Sequence, residues 1–209
     1  MLNLDPGAVE SCLTEKTKAI IPVHILGHPV DMDPLLEVAR TYGLTIIEDA
    51  TESLGAEYKG RSVGRLGDIG CFSFNGNKII TTGGGGMLVT DLEEWAKQAR
   101  YLSTHAKDDP VEYVHGTLGY NYRLTNLQAA MGCAQLEQLD AFVQKKRDIA
   151  REYTSALREV PGLTLPGEAS WASRSSWLYT VLVDEARYGM NSRELLRSLG
   201  EQSIETRPL

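Results

Sequence analysis

Lys78 closes the stretch Ser73-Phe74-Asn75-Gly76-Asn77-Lys78, directly after an apolar run and just before Thr81-Thr82-Gly83-Gly84-Gly85-Gly86. Upstream, Ile46-Ile47-Glu48-Asp49-Ala50 ends a second apolar run on an acid. A deprotonated lysine amine attacks carbonyl carbon. A carboxylate can pair with a protonated ring nitrogen and keep that ring an electron sink. Glycines allow unusual backbone angles and close approach to a ligand. One lysine, one strand-end aspartate and one glycine-rich turn are therefore the parts needed to hold an aldehyde cofactor as a Schiff base. Each part taken alone has a plainer reading. Most lysines are solvated surface charges. Asp49 serves as well in a turn or a helix cap, and Ser73 bonds backbone as readily as it donates to a phosphate. The glycines make a turn, and Asn75 and Asn77 allow one, because asparagine tolerates left-handed conformations.

The elements that must position these residues follow from apolar spacing and turn signals. Asp5-Pro6 predicts an N-cap and first helical turn, with the helix running to about Leu13. Ala19 to Val23 is a short buried strand, followed by a loop from His24 to Pro29. Asp33-Pro34 predicts the start of a second helix that stops at Gly43, and Leu44 to Ile47 is the next strand. Strand, helix and strand at this spacing form a βαβ unit and imply a parallel sheet. Glu57 to Gly67 reads as a polar excursion or hairpin, Ile69 to Phe74 and Gly86 to Thr90 as strands, and Asp91 to Leu102 as a helix. Lys107 to Gly119 reads as a surface loop. A long, interrupted helical pattern runs from Thr125 or Asn126 through Leu157 to the stop at Pro161-Gly162. Trp177 to Val183 reads as a strand, Ser192 as the cap of a helix to Leu199, and the tail as the start of another strand. Residues 1–125 thus form a large α/β region with a mostly parallel sheet. Residues 126–209 form a helical connection and a smaller α+β lobe.

Bulk properties exclude several classes. A length of 209 residues with 42% hydrophobic and 23% charged content fits a globular fold with a substantial core. A net charge of −7 argues against a surface built to neutralise nucleic-acid phosphates. Cys12, Cys71 and Cys133 form no CxxC pair, so disulfides are not expected and a reducing cytoplasm fits. No apolar run approaches the roughly 18 residues of a membrane span, and no secretory signal is visible. His24, His28, His105 and His115 lack metal-site spacing. GxxxxGK[ST] is absent, because Lys78 precedes the glycines, and the glycine run lies between strands instead of opening a helix. No GxSxG elbow appears.

Four ordered motifs carry a resemblance over essentially the whole chain. They are Ala19-Ile-Ile-Pro-Val-His-Ile-Leu-Gly27, Ile47-Glu-Asp-Ala-Thr-Glu-Ser-Leu-Gly55, Cys71-Phe-Ser-Phe-Asn-Gly-Asn-Lys78 with its Thr-Thr-Gly-Gly-Gly-Gly-Met continuation, and Gly119-Tyr-Asn-Tyr-Arg-Leu-Thr-Asn-Leu-Gln-Ala-Ala130. In this order they resemble the sugar aminotransferases among the fold-type I pyridoxal-phosphate enzymes, which share the aspartate-aminotransferase fold. Asn75 to Lys78, Lys107 to Pro110 and Ile204 to Pro208 are most similar to enzymes making 4-amino-sugar nucleotides of the perosamine, bacillosamine or legionaminic type. The resemblance implies that Lys78 holds pyridoxal 5′-phosphate covalently, that Asp49 pairs with its pyridine nitrogen and that Ser73 binds its phosphate. It places Glu52 near the ring hydroxyl, where many relatives carry glutamine. It implies that Asn121 reaches a phosphate across a homodimer interface with Arg123 supporting that site, and that His24 and its loop border the substrate. The implied reaction transfers the amino group of glutamate to a nucleotide-linked 4-keto-6-deoxy sugar, in the cytoplasm, for polysaccharide or lipopolysaccharide synthesis.

Family members are typically nearly twice this length, and both ends of this chain look abrupt. The expectation is part of the large domain and part of the small lobe, without the preceding segment that cradles the phosphate. A non-catalytic remnant that only associates with a full-length relative is the competing expectation. A related dehydratase is disfavoured, since the resemblance implies histidine at the lysine position of such enzymes.

Overall fold

The computed structural model describes residues 2–109 and 111–209. Met1 and Pro110, the latter closing the Lys107-Asp-Asp-Pro segment, lie outside the described residues. The chain opens with helix α1 (Pro6–Val9), capped by the Asp5 side chain on the Gly7 N–H, and continues as a 3₁₀ turn over Glu10–Cys12. Strand β1 (Ala19–Ile20) leads through a 3₁₀ turn at Ile25–Gly27 to helix α2 (Met32–Tyr42) and strand β2 (Thr45–Asp49). A small hairpin, β3 (Glu57–Tyr58) and β4 (Arg61–Ser62), precedes β5 (Ile69–Ser73), the lysine loop and β6 (Gly86–Val89). Helix α3 (Glu93–Ser103) is followed by β7 (Lys107–Asp109) and β8 (Val114–His115), then helices α4 (Asn126–Leu136) and α5 (Leu139–Leu157). The last part holds β9 (Leu163–Thr164), β10 (Ala172–Ser173), β11 (Leu182–Val183), α6 (Glu185–Tyr188) and α7 (Ser192–Glu201).

The main sheet has the order β1-β2-β5-β6. The first three strands run parallel and β6 returns antiparallel, with Asp49 opposite Cys71 and Ser73 opposite Gly86. A crossover helix joins β1 to β2, as parallel pairing requires. Its inner face buries Met32, Leu35 and Ala39, which join Ile20, Val30, Ile46, Ala50, Tyr58 and Val63 in one apolar core. The fold is α/β with a mostly parallel sheet and flanking helices.

Several local expectations shift. Asp31, not Asp33, is the N-cap of α2, and Asp33 lies in its first turn. Asn191, not Ser192, caps α7, because its side chain accepts the Arg193 and Glu194 N–H groups. The Lys107 loop contains the β7–β8 hairpin. Only Leu182–Val183 of the apolar Trp177 run pairs as a strand, with Leu163–Thr164. The preceding residues are held by side chains of other elements, so apolar content there serves packing instead of a ladder. The tail after Ser203 forms no strand.

Candidate active site

The carboxyl ends of parallel strands collect ligands in open α/β sheets. Asp49 is the last residue of β2 and Ser73 the last of β5, and the two strands are neighbours. Asp49 Oδ1 accepts the Thr51 N–H at 3.1 Å, the local bond of an Asx turn. Oδ2 has no hydrogen-bond partner among the described residues, so one lone-pair face of the carboxylate is free. Its charge is felt locally: burial first, then the Asp49 carboxylate, pushes the Cys71 thiol up. The Ser73 hydroxyl accepts the Asn75 N–H at 3.3 Å and keeps its own proton for another acceptor.

Lys78 follows on a turn closed by its own N–H to the Asn75 carbonyl at 3.0 Å. The loop is pinned on its far side, where Thr82 N–H and the Thr81 hydroxyl both reach the Phe74 carbonyl at 3.0 Å. Gln135 of α4 accepts the Thr81 N–H at 2.9 Å. Gly83 and Gly85, at φ +77° and +85°, then reverse the chain into β6. The glycine run is thus a turn that frees the lysine loop from the sheet. Among the described residues, Lys78 Nζ forms no ion pair. It lies 4.1 Å from the centroid of the Trp177 ring.

His24 has a structural setting. Its ring is fully buried, Nε2 lies 2.9 Å from Glu48 Oε2, and Nδ1 accepts the Val30 N–H at 3.0 Å. Both ring nitrogens are engaged, so the imidazole itself cannot bind a ligand while this network stands. The loop it holds is tied to Glu52, three residues beyond Asp49. Glu52 Oε2 accepts the Leu26 N–H at 2.8 Å, fixing Leu26 in its left-handed conformation at φ 56°. Asn121 bridges to Thr104 through backbone beside the stacked Tyr120 and Tyr122 rings, and both Asn121 and Arg123 are exposed. No hydrogen bond joins either side chain to Asp49, Ser73 or Lys78 among the described residues. Asp49 and Ser73 end neighbouring strands, with Glu52 and Lys78 three and five residues further along the chain, while Asn121 and Arg123 belong to a separate surface segment.

Gln135 and Trp177 have no sequence signal for their roles. They lie 57 and 99 positions beyond Lys78, on elements whose apolar residues read simply as packing.

The family model for DegT/DnrJ/EryC1/StrS aminotransferases matches residues 1–209. The chain belongs to this aminotransferase family. GDP-perosamine synthase of Caulobacter vibrioides is 41% identical over 208 residues, covering 99% of this chain and 56% of that protein. Among solved structures, DesV of S. venezuelae matches with a TM-score of 0.88 and 36% identity, over 98% of this chain and 53% of that one. E. coli GDP-4-keto-6-deoxy-D-mannose-3-dehydratase with bound hydrated PLP matches with a TM-score of 0.89 at 27% identity, over 99% of this chain and 57% of that one. The chain spans about half the length of the curated relatives it matches. Pyridoxal phosphate is the cofactor of this family, and the donor set fits it. Among the described residues, an amine free of ion pairs, a carboxylate with one oxygen unpartnered and a serine hydroxyl with a free proton match an aldehyde, a pyridinium N–H and a phosphate.

Proposed function

We propose that this chain carries the lysine-bearing part of a pyridoxal-phosphate-dependent aminotransferase acting on nucleotide sugars. Glutamate is the amino donor and a nucleotide-linked 4-keto-6-deoxy sugar the acceptor. Residues 1–125 then form part of the large cofactor domain, and residues 126–209 the helical connection and part of the small lobe. The position of Asp49 and Ser73 at the ends of the neighbouring strands β2 and β5, with Lys78 on the loop that follows Ser73, in a chain matched throughout by the family model, carries this reading.

When bound, pyridoxal 5′-phosphate supplies a carbonyl that takes an amine and a ring that accepts the electron pair released beside the nitrogen. The protein supplies the rest. Asp49 Oδ2 accepts the pyridine N–H and holds the ring protonated. Glu52 borders the ring hydroxyl, and its existing bond to Leu26 N–H ties that position to the His24 loop. Ser73 donates its free proton to the phosphate. Lys78 Nζ would hold the cofactor's carbonyl carbon, and as a free amine it would be the base that takes and carries the proton of the donor's alpha carbon. Asn121, supported by Arg123, reaches a phosphate across the interface of a homodimer. The His24 ring acts by holding the substrate-bordering loop in place.

Borohydride reduction in the presence of pyridoxal 5′-phosphate should add the cofactor's mass to the Lys78 peptide, and Lys78→Ala should abolish that addition. Labelling spread evenly over the exposed lysines, with Lys78 no different from Lys97, would defeat the proposal. The reaction itself is read by mass spectrometry of the sugar nucleotide after incubation with glutamate. An amino sugar supports it, and loss of the sugar's hydroxyl without nitrogen gain points instead to dehydratase chemistry.

A further inference from the structure

Trp177 is 5% exposed and performs two distinct contacts on the lysine loop. Its indole Nε1–H donates to the Asn77 carbonyl at 2.7 Å, one residue before Lys78. Its ring face lies under Lys78 Nζ at 4.1 Å, within the range of a cation–π contact. The backbone that carries the indole is itself fixed at three points. Lys146 of α5 donates to the Trp177 carbonyl at 3.2 Å. Ser175 N–H donates to the Gly27 carbonyl at 2.9 Å. Gly27, at φ +85°, packs so closely that a Cβ there would lie 2.6 Å from Ser175 Oγ and 2.9 Å from Trp177 N. A ring held this firmly can set the position of a flexible side chain, whose four-carbon stem otherwise loses considerable rotamer entropy on ordering.

We propose that Trp177 is a positioning residue for Lys78: its ring is the resting shelf of the lysine amine whenever that amine is not bonded to a carbonyl, and its N–H fixes the turn that aims it. The inference rests on the assignment of Lys78 as the cofactor lysine, but the shelf can be observed without cofactor. The shelf ties the lysine loop to α5 and to the segment beyond it, so a displacement of that segment would be felt at the amine.

Two readouts test it. In the cofactor-free protein, the ring current of the indole should move the Lys78 ε-methylene protons upfield of those of the other lysines in the NMR spectrum. Trp177→Leu should abolish the shift, and Trp177→Phe, which keeps an aromatic face but lacks the N–H, should restore part of it. With pyridoxal 5′-phosphate added, loss of a contact made only by the unbonded ammonium should raise the rate of borohydride-trapped labelling at Lys78 roughly two- to fivefold in Trp177→Leu, the worth of a cation–π contact at a partly exposed site, with a smaller rise in Trp177→Phe. A Lys78 methylene resonance at the ordinary lysine position in the unmutated protein overturns the shelf, whether or not either variant folds. An upfield shift with no labelling of Lys78 would leave the shelf standing and remove the cofactor assignment instead.

Discussion

One oxygen of the Asp49 carboxylate holds the turn at Thr51, and the other has no hydrogen-bond partner among the described residues. Asp49→Asn should keep the turn through its side-chain carbonyl while losing the negative charge that favours a pyridinium N–H. A hydrogen bond to a charged group is worth about 1.5–3 kcal/mol. The variant should therefore bind pyridoxal 5′-phosphate about ten- to a hundredfold more weakly, measured by titration of the cofactor's absorbance, with an unchanged melting temperature. Equal affinity in the variant would show that this carboxylate does not meet the ring nitrogen. Glu52 differs in kind, because it already holds the Leu26 N–H. Glu52→Ala should lower stability as well as cofactor affinity, since a half-buried backbone donor in a left-handed turn loses its acceptor.

The element that depends most on one side chain is β2. Glu48, fully buried on this strand beside Asp49, accepts His24 Nε2–H and the N–H groups of Gly64, Leu66 and Gly67 at 2.6–2.9 Å. Burial is the largest influence on its carboxyl and works to raise it. The bonds from His24 and the backbone of Gly67 and Gly64 outweigh it, so the group is held below its ordinary range. Its stabilisation is then fully present above the ordinary carboxylate value of about 4.3 and is lost as pH falls through the lower folded value. Glu48→Ala strands three backbone donors, each costing about 1–3 kcal/mol when buried without an acceptor. The sum rivals a whole domain's stability of about 5–15 kcal/mol, so no folded protein is expected by circular dichroism. Glu48→Gln keeps one carbonyl acceptor and should fold with a lowered urea midpoint and a weaker acid dependence. The same network holds the His24 loop and seals its imidazole from solvent.

Over the whole molecule, acid sensitivity gains a second source at His28, where the β1–α2 loop meets the last third of the chain. Burial, the largest influence, and the nearby Arg174 guanidinium lower this imidazole, against the Pro29 carbonyl and Glu168. The unfolded chain then binds more protons than the folded one just below the ordinary value of about 6.5. Stability should therefore begin to fall below that pH, before the Glu48 effect starts, and His28→Gln should remove the earlier step from a plot of urea midpoint against pH. Another molecular-scale consequence concerns α4, a helix of largely apolar composition on which Leu127 is 84% and Leu136 53% exposed. The 209-residue chain by itself should bind a hydrophobic dye, with Leu127→Lys reducing the signal.

What the residues alone determined was local and periodic. Apolar spacing located the βαβ unit and the strand before Lys78 and showed an interrupted helical pattern after Thr125 without placing its break, because these depend on neighbours a few positions apart. Four ordered motifs, each bound to a turn or strand end, were enough to identify the family. Tertiary structure alone decided that the Lys78 loop is framed by Gln135 and Trp177, that the His24 ring faces inward to Glu48, and that the Trp177 run packs instead of pairing along its length. These outcomes depend on which distant side chains meet once the sheet and helices have packed, and spacing along a chain holds no record of contacts made across it.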